Sequence, residues 1–190
     1  MIDDVYNARI LEFAGNIPRI GRLESPDASA TAHSKLCGST VTIDLRVEDD
    51  KVADFAHEVK ACALGQASSS VMARNILGAS TSELRELRET MRQMLKENGA
   101  PPKGRFEDLQ YLEPVRDYKA RHASTMLTFD AVVEALDKIA ARRESAAAKV
   151  HPSWAMGIGT DRDDSPATGP VVGGGLPAGS SALASCASTS

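Results

Sequence analysis

Cys62 stands where a strand-like segment ends and a helix-like segment begins, with Lys60-Ala61 before it and residues 63–72 after it. The unpaired N–H groups and the dipole of a helical first turn favour the thiolate form of a cysteine placed there. Because thiolate is the form that binds metals and attacks sulfur, this position indicates metal or sulfur chemistry. A buried, unreactive cysteine that opens a closely packed helix is an equally good interpretation of this segment alone.

A second cysteine, Cys37, precedes the clearest strand of the chain. Residues 40–47 alternate between apolar and polar side chains, residues 48–51 form a polar turn, and residues 52–61 read as a returning strand. This pattern predicts a hairpin at the centre of a small antiparallel sheet. Because the hairpin reverses the chain, we expect it to bring Cys37 and Cys62 to the same end of the sheet.

Helical patterns occupy much of the remaining chain. Ser80 as N-cap and Glu83 three residues later form a capping box, which predicts the start of an amphipathic helix that ends near Asn98. Residues 28–36 are small and polar, and no strand or helix is assigned to them. The other predicted helical segments are residues 3–13, the segment from Cys62 to Gly78, a short turn at 108–113 and a last helix at 119–143.

The character of the sequence changes after Ser145. Residues 146–190 are rich in Pro, Gly, Ser, Ala and Thr and show no periodicity, which is typical of a disordered tail. We therefore predict one folded domain over residues 1–145 and a disordered tail over 146–190. Trp154 and Cys186 lie in that tail, and the sequence assigns neither a role.

Composition narrows the function classes. The net charge is −4 and the basic residues are dispersed, so nothing recommends nucleic acid as a partner. No apolar run is long enough to span a membrane, and the first residues lack the features of a signal peptide, so a cytoplasmic protein is expected. Three cysteines are too few and too scattered for a disulfide framework. The sequence contains no Gly-x-Ser-x-Gly elbow, so hydrolase activity is not expected.

Several of these segments together resemble the IscU/NifU N-terminal family of iron–sulfur cluster scaffolds. The segments are residues 36–39, 61–72 and 115–127, and an opening turn at 16–21 agrees with them. Residues 78–104 resemble the longer connection of the SufU-like branch, and the resemblance covers about residues 1–142. It implies an α+β fold in which a three-stranded antiparallel sheet packs against about four to five helices.

The resemblance also implies a ligand set. In that family three cysteines and an aspartate hold a nascent cluster, or a zinc ion in SufU-like members. The first two cysteines correspond to Cys37 and Cys62, whereas Ser39 takes the place of the aspartate and Ser124 that of the third cysteine. A serine hydroxyl stays protonated near neutral pH and is a poor ligand for iron or zinc. These four positions therefore cannot build a complete tetrahedral site.

Other side chains were considered as replacements. His122 lies two positions before Ser124 and His33 four before Cys37, so either could approach the site, although an exposed histidine is the commoner state. His57 and His151 are more readily interpreted as structural or solvent-facing. Cys186 would have to close a loop of about 60 residues, at an entropic cost with no visible ordering device.

The resemblance implies a function in iron–sulfur cluster assembly, as a scaffold or sulfur acceptor without turnover of its own. A cysteine desulfurase would deliver sulfur to Cys37 or Cys62, iron would join, and the transient cluster would pass to an acceptor protein; zinc is a further candidate ion. Two alternatives remain open. One is a degenerate, non-metal homologue that acts as an adaptor or regulator of a desulfurase. The other is a cluster bridged between the two subunits of a homodimer, each giving two thiolates.

Overall fold

A computed structural model describes residues 6–149, and within them the chain forms the expected α+β fold, with helices packed around a three-stranded antiparallel sheet. In chain order the elements are α1 (Ala8–Gly15), β1 (Ala28–His33), β2 (Thr40–Glu48), β3 (Lys51–Lys60), α2 (Ala63–Asn75), α3 (Thr81–Lys96), a run of 3₁₀ turns (Gly104–Asp117) and α4 (Lys119–Lys149). Residues 1–5 and 150–190 lie outside the described part, so the division into a folded domain and a disordered tail and the roles of His151, Trp154 and Cys186 stay predictions.

The predicted hairpin is confirmed as β2 and β3, which lie next to each other in the order β1-β2-β3. Asp49 and Asp50 connect them with φ angles of 47° and 61°. Positive φ at both central residues suits the right-handed twist of a two-residue hairpin, and aspartate tolerates that conformation better than most residues. Alternate side chains of β2 point into the core and are buried: Val41, Ile43, Leu45 and Val47.

The helices cover the sheet and one another. Helix α4 packs on β1 and β2, while α2 and α3 pack on α4. The apolar residues of the last helix that were expected to face the core are all buried: Met126, Leu127, Phe129, Val133, Leu136 and Ile139. The amphipathic patterns therefore located the helical core correctly.

Three local expectations differ from the structure. Residues 28–33 form β1, whose inward Ala28 and Ala30 are each 2% exposed. Small side chains let α4 lie close to this strand, and they also hide the usual signal of large β-branched residues. Helix α4 continues six residues beyond the predicted end at 143, because residues 144–149 include three alanines, the best helix formers. Helix α1 begins at Ala8, with Asn7 as its N-cap, and ends at Gly15, two residues beyond the predicted end at 13.

The capping box at Ser80 is half realised. Ser80 Oγ accepts a hydrogen bond from the Glu83 backbone N–H at 3.1 Å, as predicted for an N-cap. The Glu83 carboxylate instead lies 3.2 Å from Arg105 Nε, which ties the start of α3 to the run of 3₁₀ turns. The helix start was thus predicted correctly, while the acidic partner makes a tertiary contact.

The segment after α1 lies along the outer edge of β3. The His57 N–H donates to the Arg19 carbonyl at 3.1 Å, and the Gly21 N–H donates to the His57 carbonyl at 2.9 Å. Arg22 then holds the buried carboxylate of Asp44 with two hydrogen bonds of 2.7 and 2.9 Å. These contacts fix an irregular segment against the sheet and pair the backbone groups of His57 on the β3 edge.

Candidate functional site

The two cysteines of residues 6–149 lie at the same end of the sheet. In the register of the hairpin Thr40 pairs with Lys60, so Ser39 precedes β2 at the point where β3 ends. Cys37 lies in the connection between β1 and β2, and Cys62 is the N-cap of α2. The chain reversal expected from the sequence therefore brings these two segments together.

Cys37 is held in a compact turn. The Ser34 N–H donates to the Ser39 carbonyl at 2.8 Å, and the Gly38 N–H donates to the Ser34 carbonyl at 2.9 Å. Gly38 has a φ of +68°, a conformation that glycine adopts without steric cost. The turn leaves Cys37 exposed and places its Sγ 3.0 Å from Ser39 Oγ and 3.3 Å from Ser34 Oγ.

This surrounding favours the thiolate of Cys37. The hydroxyls of Ser34 and Ser39, the Ser39 backbone N–H and, to a lesser extent than these, the positive charge of Arg121 lower the pKa of Cys37 to about 7, against an opposing effect of burial. Each of these groups stabilises a negative sulfur more than a neutral one. At pH 7 roughly half of the Cys37 side chains are therefore thiolate, the nucleophilic form.

Cys62 has the helix position that the sequence predicted. It caps α2 with its backbone, since its carbonyl accepts from the Gln66 N–H at 2.9 Å, while its side chain makes no capping hydrogen bond. Its Sγ is half-buried and lies 3.5 Å from Ser124 Oγ. Ser124 Oγ in turn donates to the Arg121 carbonyl at 3.0 Å, which fixes the hydroxyl on the first turns of α4.

Gly65 allows this contact between α2 and α4. A Cβ built on Gly65 would lie 2.8 Å from the Ala61 Cβ and 3.0 Å from the Ser124 carbonyl oxygen. Real side chains do not tolerate such distances without a shift of one of the helices. The absence of a side chain at position 65 therefore sets how closely Ser124 approaches Cys62.

The histidines considered as replacements are engaged elsewhere. His122 is buried, and its Nε2 lies 2.9 Å from the Arg116 carbonyl and 3.1 Å from the Val115 carbonyl, so it ties α4 to the preceding turns. His33 is exposed on β1, with Nδ1 3.0 Å from Thr40 Oγ1. His57 is fully buried, and its Nε2 lies 2.9 Å from the Pro18 carbonyl, in keeping with the structural interpretation.

The donor set at this site consists of two thiols and their serine neighbours. Within residues 6–149 no group of three or more His, Cys, Asp or Glu side chains is arranged to hold a metal ion. The geometry thus pairs Cys37 with Ser39 and Cys62 with Ser124, and it gives the zinc possibility no support.

Two contributors were not identified from the sequence. Ser34 and Arg121 both act on the Cys37 sulfur. The spacing Ser34-x-x-Cys37-x-Ser39 was a usable signal, since a tight turn can direct flanking hydroxyls at a thiol. Arg121 gave no signal, because it acts across the fold from an element distant in sequence.

Among the described residues, no helix combines the length and the apolar character that crossing a lipid bilayer requires.

Comparison with known proteins identifies the family. Residues 5–142 match the NifU-like N terminal domain. A NifU-like protein (N-terminal) from Brucella abortus is 68% identical and superposes with a TM-score of 0.73, covering 74% of this chain and 98% of its own. The iron–sulfur cluster assembly scaffold protein IscU of Thermotoga maritima is 28% identical over 135 residues, 71% of this chain and 94% of that protein. A Fervidobacterium islandicum protein assigned as a scaffold of the SUF system shares the fold at 22% identity, with a TM-score of 0.64 over 70% of this chain and 98% of its own. The chain belongs to the family of NifU-like N-terminal domains.

Proposed function

We propose that this protein works in iron–sulfur cluster assembly as a scaffold that accepts sulfur on Cys37, with Cys62 as the second thiol of the site. Membership of the NifU-like family and the likeness to IscU scaffold proteins support the assembly role. The observation that carries the assignment to Cys37 is its exposed thiol with a pKa lowered to about 7. A thiol whose pKa is near the ambient pH combines a large thiolate fraction with good nucleophilicity.

Sulfur transfer needs only the groups at this end of the sheet and a persulfide donor. The Cys37 thiolate attacks the outer sulfur of the donor persulfide, a sulfur–sulfur bond forms on Cys37, and the donor's own sulfur–sulfur bond breaks. The electron pair leaves with the donor thiolate, so there is no net oxidation. The hydroxyls of Ser34 and Ser39 stabilise the attacking thiolate by donating hydrogen bonds to it. A cysteine desulfurase is the general kind of donor that scaffold relatives imply.

The cluster is the cargo of this reaction and not a resident cofactor. One chain supplies two thiolates at the site, whereas a cluster takes four protein ligands, which are four thiolates in most iron–sulfur proteins. Two chains related by a twofold axis would supply four. We therefore propose that cluster building follows sulfur loading in a homodimer or together with an acceptor protein. We propose no catalytic turnover for this protein, and we propose that it works in the cytoplasm.

The test is to load the protein with sulfur and then to measure the mass of the intact protein. The full-length protein is incubated anaerobically with glutathione persulfide, and the gain of one sulfur atom is located by peptide mass spectrometry. We expect loading on Cys37 first, its loss in Cys37→Ala, and its retention in the matched variant Cys186→Ala. Loading that is unchanged in Cys37→Ala would refute the assignment.

A second candidate function, an adaptor or regulator without cluster binding, rests on Ser39 and Ser124. Both hydroxyls lie within hydrogen-bonding distance of the thiols, at the two positions where the resemblance places ligands. Iron and acid-labile sulfide are measured on the anaerobically loaded protein, with its mass in solution. Cluster in a dimer supports the scaffold; loaded sulfur without iron in any state supports the adaptor.

A further inference from the structure

A groove of about 700 Å³ lies between α3 and the first turns of α4. One wall carries Arg88, Arg92 and Lys96 of α3, and the other includes Arg116 and Lys119. Leu95 and Met126 line the groove between these walls. The groove also includes His122 and Ala123, which precede Ser124 in α4.

The charge of the groove is opposite to that of the chain. The protein carries a net charge of −4, yet five cationic side chains and only one carboxylate, Asp130, line the groove. Within residues 6–149, neither Lys96 nor Lys119 has a carboxylate within 4 Å. The buried Nε of Arg116 has no hydrogen-bond partner among the same residues. Arg116 itself pairs through a terminal nitrogen with Glu113, so the unpaired positive charge of the groove is that of Lys96 and Lys119.

The arginines already hold carboxylates, and this shows which chemistry they bind. Arg88 lies 2.6 Å from Asp130, and Arg92 lies 2.7 Å from Glu89 and 3.0 Å from Glu97. These pairs are exposed, and exposed ion pairs add little stability. Carboxylates of a bound molecule can thus replace them at low cost, and the planar guanidinium suits bidentate binding of a carboxylate.

The spacing of the cations identifies the shape of the ligand. Arg88, Arg92 and Lys96 follow one another at four-residue intervals on α3, so they are about 6 Å apart along the helix axis. Alternate side chains of an extended peptide are about 6.6 Å apart and point the same way. A row of cations spread over two helical turns fits such a chain better than it fits one compact anion.

We propose that this groove docks an extended acidic segment of a partner protein, with Asp or Glu at alternate positions. The carboxylates lie along Arg88, Arg92 and Lys96, with Lys119 on the facing wall, and the residues between them lie over Leu95 and Met126. The proposal does not depend on what the thiols carry.

The probe is a fluorescein-labelled peptide in which four glutamates alternate with alanine, titrated with the full-length protein and followed by anisotropy in low salt. The double variant Lys96→Ala, Lys119→Ala should weaken binding at least about fivefold, and 0.5 M salt should abolish most of it. The control variant Lys51→Ala, Lys103→Ala removes the same charge from two exposed lysines outside the groove and should bind within about twofold of the parent.

Four results would overturn the proposal. The first is that the peptide does not bind, and the second is that the two double variants weaken peptide binding equally. The third is that a peptide with its four glutamates in one block binds with equal affinity. The fourth is that micromolar tripolyphosphate displaces the peptide. The second indicates general charge attraction. The last makes the groove a phosphate site instead of a protein-docking site.

Discussion

Ser39 Oγ lies 3.0 Å from the Cys37 sulfur, at the position where the resemblance places a carboxylate. A carboxylate beside an unmetallated thiol would raise the thiol pKa by like-charge repulsion, whereas a hydroxyl lowers it by donating a hydrogen bond to the thiolate. Serine at this position therefore favours a free nucleophile over a metal ligand. The chemistry of the site follows from this difference.

Removal of the two hydroxyls should make Cys37 less acidic. In the double variant Ser34→Ala, Ser39→Ala, the main causes of the lowered pKa are absent, so the inflection of alkylation rate against pH should move from about 7 towards the ordinary thiol value. At pH 7 alkylation of Cys37 by iodoacetamide should slow by roughly fivefold or more. Ser145→Ala, on the exposed far part of α4, is the matched control. An unchanged inflection would assign the acidity to the Ser39 backbone N–H and Arg121 instead.

Restoring the two altered ligand positions should create a metal site. Ser39→Asp with Ser124→Cys adds a charged oxygen and a thiolate beside Cys37 and Cys62, so zinc affinity should rise at least about tenfold over the parent. Affinity is measured by competition with a chelator at one pH, since ligand deprotonation makes it pH-dependent.

The control for that experiment, Ser82→Asp with Ser145→Cys, adds the same groups on the surface away from the site. A parent that binds one zinc as tightly as the variant would mean that other side chains complete its site, and His122→Ala is then the variant to examine. If neither protein binds zinc, the positional correspondence of Ser39 and Ser124 is wrong.

At the scale of elements, the site depends on how α2 and α4 pack. Buried small side chains line the contact, and Ser69 Oγ lies 2.5 Å from Thr128 Oγ1 in its interior. Gly65 lies near the site, where a Cβ on α2 would be 3.0 Å from the Ser124 carbonyl oxygen of α4. Helix propensity alone would favour alanine there by about 1 kcal/mol, so the glycine reflects packing.

Gly65→Ala should therefore destabilise the protein despite its better helix propensity. Overpacking of a close contact costs about 1–3 kcal/mol, measured as the change in free energy of unfolding in urea. Gly15→Ala at the exposed end of α1 is the control, because a Cβ there meets nothing within 4 Å. A Gly65→Ala protein as stable as the parent would show that α4 can move away without penalty.

The elements also show what the sequence could and could not predict. The β2–β3 hairpin and the cores of α3 and α4 follow from local periodicity, and the N-terminal position of Cys62 follows from the change of period behind it. Strand β1 could not be found in this way, because its inward residues are alanines selected by the approach of α4. The same reason hides Arg121, whose effect exists only once α4 and the β1–β2 turn have come together.

At the scale of the whole molecule, two buried titratable groups make the stability of the fold depend on pH. Burial alone would raise the pKa of Asp44, but hydrogen bonds from Arg22, Ser29 and the Leu23 N–H hold it below its usual range. His57 is buried with Nδ1 lacking a hydrogen-bond partner among the described residues, and desolvation lowers its pKa despite the Pro18 carbonyl. The two groups titrate in different pH ranges.

Asp44 should contribute to stability above the unfolded-state carboxyl pKa of 3.8 and lose that contribution as pH falls below it. Asp44→Asn should lower the free energy of unfolding by about 2–3 kcal/mol at pH 7, and by clearly less at pH 3. Glu58→Gln removes an exposed carboxylate 3.6 Å from the same arginine and should change stability by less than about 0.5 kcal/mol. Equal effects of the two variants would contradict this account.

His57 should affect the stability of the fold at a higher pH than Asp44 does. Because its folded-state pKa lies below the unfolded value of 6.5, the unfolded chain binds the extra proton first, and stability should decline as pH falls below about 6.5. In His57→Gln the part of this decline between pH 7 and 5.5 should disappear, whatever the variant's absolute stability. His33→Gln, on the surface of β1, should keep the parent's slope.

The contact between Arg22 and Asp44 also opposes aggregation of the protein. It holds the segment whose Arg19 and Gly21 backbone groups pair with His57 along the outer edge of β3. When acid protonates Asp44, that segment loses its ion pair with Arg22, which makes it easier to release, and the backbone groups of His57 then become available to a strand of another molecule. Strand edges left open in this way are templates for aggregation. Acid-stressed protein should therefore assemble through β3 before its helical core has unfolded.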